Sequence, residues 1–107
     1  MKKKLNKKIL KIAMASIDAI NKSGIKVESA YVFGSHAKHS AKRFSDIDLC
    51  VVSKMFGHDR QQERVTLMRL TDNIDDSIEP HPFSPDEMGS LYDPLVHEIN
   101  STGIEIK

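Results

Sequence analysis

An unbroken apolar run in the middle of the chain constrains the fold most. Residues 49–52 read Leu-Cys-Val-Val, and Ile47 and Asp48 stand directly before them. A short run of strand-forming residues without polar alternation is typical of a strand that is covered on both faces. We therefore expect Ile47 to Ser53 to form the central strand of a small sheet.

The length and composition predict one ordinary globular domain. The chain has 107 residues, of which 39% are hydrophobic and 29% charged, so we expect a single domain over residues 1–107. Its net charge of +1 argues against a protein that binds nucleic acid through bulk charge. The single cysteine, Cys50, cannot form an internal disulfide, and no apolar segment is long enough to span a bilayer. These features predict a cytoplasmic protein with Cys50 in its core.

Two long amphipathic helices are predicted from apolar residues that recur at helical spacing. The first spans about Leu5 to Asn21 and is followed by Gly24, which suits a left-handed cap. The second spans Gln61 to Ile74, and its predicted inner face comprises Val65, Leu67, Met68, Leu70 and Ile74. Lysines crowd the start of the chain: Lys2, Lys3, Lys4, Lys7, Lys8 and Lys11. Such a lysine face can contact RNA or an acidic partner, but we interpret it as a solvated helix face.

The remaining elements are short and are separated by turn signals. We expect a first strand over Val27 to Phe33 and a short helix over Ser35 to Lys42. A third strand over Ile78 to Pro82 is expected at a sheet edge or barely paired, because its prolines cannot donate to a ladder of hydrogen bonds. Helix starts at Ser84-Pro85 and Asp93-Pro94, and a last strand over Ile104 to Ile106, complete the prediction.

A glycine–serine pair, Gly34-Ser35, lies between the first predicted strand and the short helix. Glycine lets the backbone come close to a ligand, because no Cβ is in the way. The free N–H groups at the start of a helix, together with the helix dipole, favour an anion such as phosphate. The pair is common in proteins, so the prediction of a phosphate site depends on what lies beside it.

Two carboxylates, Asp46 and Asp48, stand at the mouth of the predicted central strand. Residues two apart on a strand point to the same face, so these carboxylates are expected to lie close together and to repel each other. A divalent cation removes this conflict, and carboxylate oxygens suit Mg²⁺, which usually takes further ligands from substrate phosphates. A phosphate-binding turn beside a carboxylate pair therefore predicts a site for a metal–nucleotide complex.

These two motifs together resemble the signature of the DNA polymerase β-type nucleotidyltransferase superfamily. Gly34-Ser35 is followed by Ser45-Asp46-Ile47-Asp48-Leu49, with nine residues between the two serines. The length and the bare single-domain layout are similar to the minimal nucleotidyltransferases (MNT proteins) of this superfamily, over essentially the whole chain. The resemblance implies an α/β (α+β) nucleotidyltransferase fold, in which a small mixed sheet is flanked by helices.

The resemblance also implies a role for each matched residue. Asp46 and Asp48 would be catalytic carboxylates that bind one or two Mg²⁺ ions. A third carboxylate from a neighbouring strand would complete the set; Glu79 is the expected one, and Asp75 and Asp76 in the preceding turn are the alternatives. The nucleotide would be held by Gly34, Ser35, His36 and Ser45.

Two histidines depart from the pattern of the superfamily. Members often carry Arg where His36 stands and Gly where His39 stands, so a fixed positive charge near the phosphates is missing here. No Cys or third His falls at a zinc-like spacing from this pair, and we expect both to be surface residues. His58 and His97 are also expected at the surface. These departures bear on the rate of catalysis more than on the fold.

The activity that the resemblance implies is transfer of an NMP group, AMP from ATP, to a hydroxyl group. Small stand-alone members often act as antitoxins that modify a HEPN-domain toxin, so a HEPN protein is the expected partner; neither a membrane nor nucleic acid is expected as the main partner. A second hypothesis is a catalytically weak binding module that neutralises its partner by contact. A third is a transferase that acts on a small molecule or on tRNA.

Overall fold

The computed structural model describes residues 5–42 and 44–107, so the lysines at positions 2–4 lie outside the described part of the chain. Three α-helices, four strands and one short 3₁₀ helix follow each other in this part. In chain order they are α1 (Lys7–Lys22), β1 (Ser29–Phe33), β2 (Ile47–Val52), α2 (Arg60–Thr71), β3 (Ile78–Phe83), the 3₁₀ helix (Glu87–Gly89), α3 (Pro94–Thr102) and β4 (Ile104–Glu105).

The four strands form one mixed sheet in the order β3-β2-β1-β4. β1 pairs antiparallel with β2 and with β4, whereas β2 and β3 are parallel. The expected central position of β2 and edge position of β3 are both confirmed. The fold class predicted from the sequence, a small mixed sheet flanked by helices, is therefore the fold of this chain.

The alternation of β2 divides its side chains between two cores. Ile47, Leu49 and Val51 pack with the buried residues of α1 and α2, because these three point to one face of the sheet. Cys50 and Val52 point to the other face and pack with α3. Burial raises the pKa of the Cys50 thiol to about 12, as expected of a core cysteine. Asp48 shares this second face.

The short helix predicted over Ser35 to Lys42 is wrong, because residues 34–39 form a series of turns. The N–H of Lys38 donates to the carbonyl of Gly34 at 3.1 Å, and that of Ser40 donates to the carbonyl of Ser35 at 2.9 Å. The first hydrogen bond spans four residues and the second spans five, so the regular four-residue hydrogen-bond pattern of an α-helix does not form. His39 then takes a left-handed backbone with φ of +57°, which prevents the chain from continuing as a helix.

The inner face of α2 also differs from the prediction. Leu67 is buried, and Leu70 and Ile74 pack against the same core, as expected, but Val65 and Met68 are exposed. The fully buried Thr71 takes part in the inner face instead, since its hydroxyl donates to the carbonyl of Leu67 at 3.0 Å and needs no water. The face that α2 turns to the sheet therefore runs through Leu67 and Thr71, and Arg64 lies one turn before them.

The two helices expected near the end of the chain differ in length. Ser84 and Glu87 form a reciprocal capping pair, in which each backbone N–H donates to the other's side chain, but only a 3₁₀ turn follows. Asp93 caps α3 by accepting the N–H of Leu95 at 2.9 Å, and Pro94 occupies the first turn as predicted. Among the described residues, no helix combines the length and the apolar character needed to cross a bilayer.

Candidate active site

Two carboxylates and an imidazole converge at one edge of the second sheet face. β2 and β3 run parallel with Asp48 beside Glu79, so both side chains point to the same face. His81 follows Glu79 by two residues on this face. Its Nε2 lies 3.3 Å from Oδ1 of Asp48 and 3.9 Å from Oε1 of Glu79. One ligand atom from each of the three residues lies within 4.8 Å of the others.

The imidazole of His81 is held in place by its neighbours. It packs edge-on against the ring of Phe33, with the ring centroids 5.0 Å apart and an interplanar angle of 61°. Its side chain is 16% exposed, against 25% for Asp48 and 36% for Glu79. The alternation along β3 places His81 on the same face as Glu79, but the sequence analysis gave His81 no role.

Gly34 makes room for the carboxylate of Asp48. It directly follows β1, whose last residue, Phe33, pairs with Asp48, and its φ is +75°. A Cβ at this position would collide with Oδ2 of Asp48. The lack of a side chain at Gly34 therefore leaves space for the Asp48 carboxylate as well as for the expected approach of a phosphate.

The turn after Gly34 is tied to the segment that leads into β2. Nε2 of His36 lies 3.2 Å from the carbonyl oxygen of Ser45, which can only accept a hydrogen bond. The hydroxyl of Ser45 accepts the N–H of Lys42 at 2.8 Å. His36 and Ser45 thus hold the Gly34-Ser35 turn beside the carboxylates. Because no regular helix follows Ser35, the turn's own N–H groups and hydroxyl, not a helix dipole, are available to an anion.

The other predicted carboxylates are placed less centrally. Asp46 lies just before β2, is exposed, and does not belong to the convergent group. Asp75 accepts both the hydroxyl and the N–H of Ser77, and these hydrogen bonds lower the pKa of its carboxyl group below the ordinary value. Asp76 is exposed. Of the three candidates for the third carboxylate, Glu79 is therefore the one that stands beside Asp48.

Arg64 is a member of this neighbourhood that the sequence analysis missed. Its Nη2 lies 2.8 Å from Oε1 of Glu79, the same oxygen that faces His81. Arg60, one turn earlier on α2, stacks its guanidinium 4.6 Å from the ring centroid of Phe83 and pairs with Glu87 at 2.7 Å. The spacing of four residues between the two arginines was the available signal, since it places both on one helix face.

A cavity of about 620 Å³ opens beside Arg64 and His81, between α2, β3 and the start of α3. It is lined by Arg60, Gln61, Arg64, His81, Pro82, Phe83 and Leu95. A second cavity of about 400 Å³ lies between the start of α1 and the turn after Gly34, and His36, His39, Lys8 and Lys42 make its lining basic. His36 and His39 thus border one cavity, but no metal-binding group of the described residues includes them.

The convergent group fits a divalent cation. Two carboxylates on adjacent strands repel each other, and an ion between them removes this repulsion. The imidazole supplies a third donor atom from the same side. The absence of a Cβ at Gly34 leaves the space that the Asp48 carboxylate occupies.

Comparison with known proteins finds a matching family model and solved structures with a similar fold. The family model described as polymerase beta, nucleotidyltransferase, matches residues 15–106. A crystal structure of a toxin–antitoxin with AMP-PNP has a TM-score of 0.64 at 20% identity, over 89% of this chain and 72% of that chain. A putative nucleotidyltransferase from Sulfolobus solfataricus has a TM-score of 0.58 at 23% identity, over 75% and 70%. The toxin–antitoxin MntA-HepT has a TM-score of 0.58 at 18% identity, over 90% and 69%. No curated protein matches the chain significantly.

Proposed function

The chain belongs to the polymerase beta nucleotidyltransferase family, and on this premise we propose that it transfers AMP from ATP to a hydroxyl group of a protein partner. One observation carries the proposal. Asp48 and Glu79 converge from two parallel strands, and the Gly34-Ser35 turn lies directly beside Asp48. A carboxylate pair beside a turn that can hold phosphate oxygens is the arrangement that metal-assisted nucleotidyl transfer requires.

Each residue of the site has a role in this proposal. Asp48 and Glu79, together with the exposed Asp46, would hold one or two Mg²⁺ ions, which would neutralise charge at the phosphates. The Gly34-Ser35 turn binds oxygens of the triphosphate through its N–H groups and the serine hydroxyl. His36 and Ser45 keep this turn in place through their 3.2 Å contact.

At the α-phosphorus the reaction forms one bond and breaks one. The acceptor oxygen attacks the α-phosphorus of ATP, the bond from this phosphorus to the bridging oxygen of the β-phosphate breaks, and pyrophosphate leaves. The proton of the acceptor hydroxyl passes to a carboxylate of the site. Glu79 is proposed as this base, since its Oε1 lies 3.9 Å from Nε2 of His81, a residue that lines the larger cavity.

The acceptor is proposed to be a tyrosine of a HEPN-type toxin, which makes this chain a cytoplasmic antitoxin. The larger cavity supports a protein side chain as the acceptor, since Phe83, Leu95 and two arginines line it and about 620 Å³ is ample for an aromatic ring. Two of the similar solved structures are toxin–antitoxins, one of them with AMP-PNP.

A second candidate function is neutralisation by contact alone. The pairing of Arg64 with Glu79 at 2.8 Å favours it, because a carboxylate that is already neutralised by a guanidinium is a poorer metal ligand. In this case the chain binds its partner without modifying it, and the carboxylates contribute little.

Transfer of label from ATP that is labelled at the α-phosphate separates these functions. The protein is incubated with Mg²⁺ and a lysate of the source cells, beside an Asp46→Ala/Asp48→Ala variant and a Glu98→Ala control on α3. A labelled protein that appears with the native chain and the control, but not with the double variant, supports AMP transfer and identifies the acceptor. A labelled small molecule or RNA redirects the proposal to another acceptor. A partner that binds the chain but acquires no label supports neutralisation by contact alone.

A further inference from the structure

The third donor of the convergent group is an imidazole nitrogen, which distinguishes this site from one built of carboxylates alone. We infer that His81 is a metal ligand and that it gives the site a preference for first-row transition ions, such as Mn²⁺ and Co²⁺, over Mg²⁺. The inference rests on the proposed ion-binding role of Asp48 and Glu79. It does not depend on which molecule accepts the nucleotide.

The distances from His81 to the two carboxylates are close to those between atoms that bind the same ion. With metal–ligand bonds of about 2.0–2.2 Å, two ligands at right angles lie about 3 Å apart. Nε2 of His81 is 3.3 Å from Asp48 Oδ1 and 3.9 Å from Glu79 Oε1. Small side-chain adjustments are therefore enough to bring all three atoms onto one ion, and the backbone can stay in place.

The orientation of His81 is fixed before any ion binds. Phe33 lies against its ring, and only 16% of its side chain is exposed, so the ring has little freedom to turn Nε2 away from the carboxylates. The parallel register of β2 and β3 fixes the distance between their backbones at this point. A preorganised donor adds affinity because little conformational freedom is lost when the ion binds.

The chemistry of the donors sets the preference. Mg²⁺ is a hard ion that is bound through oxygen and keeps several waters, so an imidazole adds little to its binding. Imidazole suits transition ions, and the affinity of a given nitrogen and oxygen site rises from Mn²⁺ to Co²⁺. His81 is therefore expected to steepen the order of affinity from Mg²⁺ through Mn²⁺ to Co²⁺.

The affinities can be measured by titration calorimetry for Mg²⁺, Mn²⁺ and Co²⁺ separately. We expect His81→Asn to weaken Co²⁺ and Mn²⁺ binding about tenfold or more, and to change Mg²⁺ binding about twofold or less. His97→Asn is the matched control, since His97 is exposed on α3 and outside the site. In a folded His81→Asn protein, Co²⁺ and Mn²⁺ affinities that fall no more than the Mg²⁺ affinity overturn the inference.

A spectroscopic measurement on the native protein tests the same point without any variant. Electron spin echo modulation of bound Mn²⁺ detects a directly coordinated imidazole nitrogen, and labelling histidine with ¹⁵N changes that modulation. A modulation that changes when histidine is labelled with ¹⁵N supports the inference. This holds even if no nucleotide is transferred from ATP and the proposed function is wrong. Bound Mn²⁺ without histidine modulation, or no Mn²⁺ binding at all, overturns it, whether or not nucleotidyl transfer is observed.

Discussion

Arg64 on α2 donates to Glu79 on β3, with 2.8 Å between Nη2 and Oε1. The same carboxylate oxygen lies 3.9 Å from Nε2 of His81, so one atom of the candidate site faces both a fixed cation and an imidazole nitrogen. The charge of Arg64 therefore contributes to the electrostatic potential at the site, although no residue of α2 belongs to the convergent group.

Replacing Arg64 is expected to strengthen ion binding. Arg64→Gln removes a positive charge beside Glu79, so the repulsion between this charge and an incoming cation disappears. We expect Mn²⁺ to bind about threefold tighter or more at low salt, and less so at high salt because salt screens the charge. Calorimetric titration measures this, with Arg69→Gln on the exposed side of α2 as the control. Weaker binding in the Arg64 variant would instead assign Arg64 a supporting role in positioning Glu79.

A methyl group at Gly34 is expected to damage the site and the fold together. In Gly34→Ala the new Cβ meets the Asp48 carboxylate, and alanine must adopt a φ of +75°. Such a backbone costs on the order of 1–3 kcal/mol for a residue other than glycine. We expect the free energy of unfolding in urea to fall by about this amount, and Mn²⁺ affinity to fall about tenfold.

Gly89→Ala provides the matched control for this change. A Cβ at Gly89 has open space around it, and its φ is not positive. Its free energy of unfolding should therefore stay within about 0.5 kcal/mol of the native value. Equal losses in the two alanine variants would contradict the clearance role of Gly34.

His39 is expected to be a site where glycine stabilises the protein. The residue is exposed and has a φ of +57°, a conformation that glycine adopts without a steric penalty. We expect His39→Gly to raise the free energy of unfolding by about 0.5–1 kcal/mol. Lys38→Gly, in the same turn but without a positive φ, should lower it instead, since only backbone freedom in the unfolded state changes there. Urea unfolding of both variants measures these opposite changes in the free energy of unfolding.

The thiol of Cys50 should be unreactive in the native protein. Burial raises its pKa from 9.0 to about 12, so almost no thiolate is present near pH 8. We expect the aromatic disulfide DTNB to label the unfolded chain in urea but not the native chain. Fast labelling under native conditions would mean that the second core, between the sheet and α3, opens readily.

The same pKa difference predicts a dependence of stability on pH. The unfolded state loses the thiol proton above about pH 9, whereas the folded state keeps it until about pH 12. Stability from this group is therefore complete below pH 9 and is lost as the pH rises toward 12, at up to about 1.4 kcal/mol per pH unit. Urea unfolding of the native chain and of Cys50→Ala, compared at each pH, isolates this contribution from that of other groups.

The central and edge strands could be predicted because their signals are local. The apolar run of β2 and the two prolines of β3 each require a particular environment, and the structure provides it. The family resemblance, carried by Gly34-Ser35 and the Asp46–Asp48 motif, is confirmed by the match over residues 15–106. The roles given to the individual site residues stay predictions.

The features that the sequence did not predict depend on contacts between distant segments. The helix expected after Ser35 is absent because the segment makes only single turns before the left-handed His39. Arg64 and Glu79 meet only once α2 has packed on β3, and His81 reaches Asp48 only through the parallel register of two strands. Periodicity along one segment carries no information on such pairings.

The prolines of β3 also determine how this sheet can meet another chain. The carbonyls of Ser77 and Phe83 accept hydrogen bonds from Ile47 and Ser53, so the odd-numbered residues of β3 bond to β2 and the even-numbered ones face outward. Pro80 and Pro82 have no N–H, and that of Ile78 is used by the carbonyl of Asp75 at 3.3 Å. The outer edge of β3 therefore offers acceptors but no free donor. An added strand would lack half of its ladder, which protects this edge from sheet-to-sheet aggregation and leaves side-chain contacts as the way for a partner to dock there.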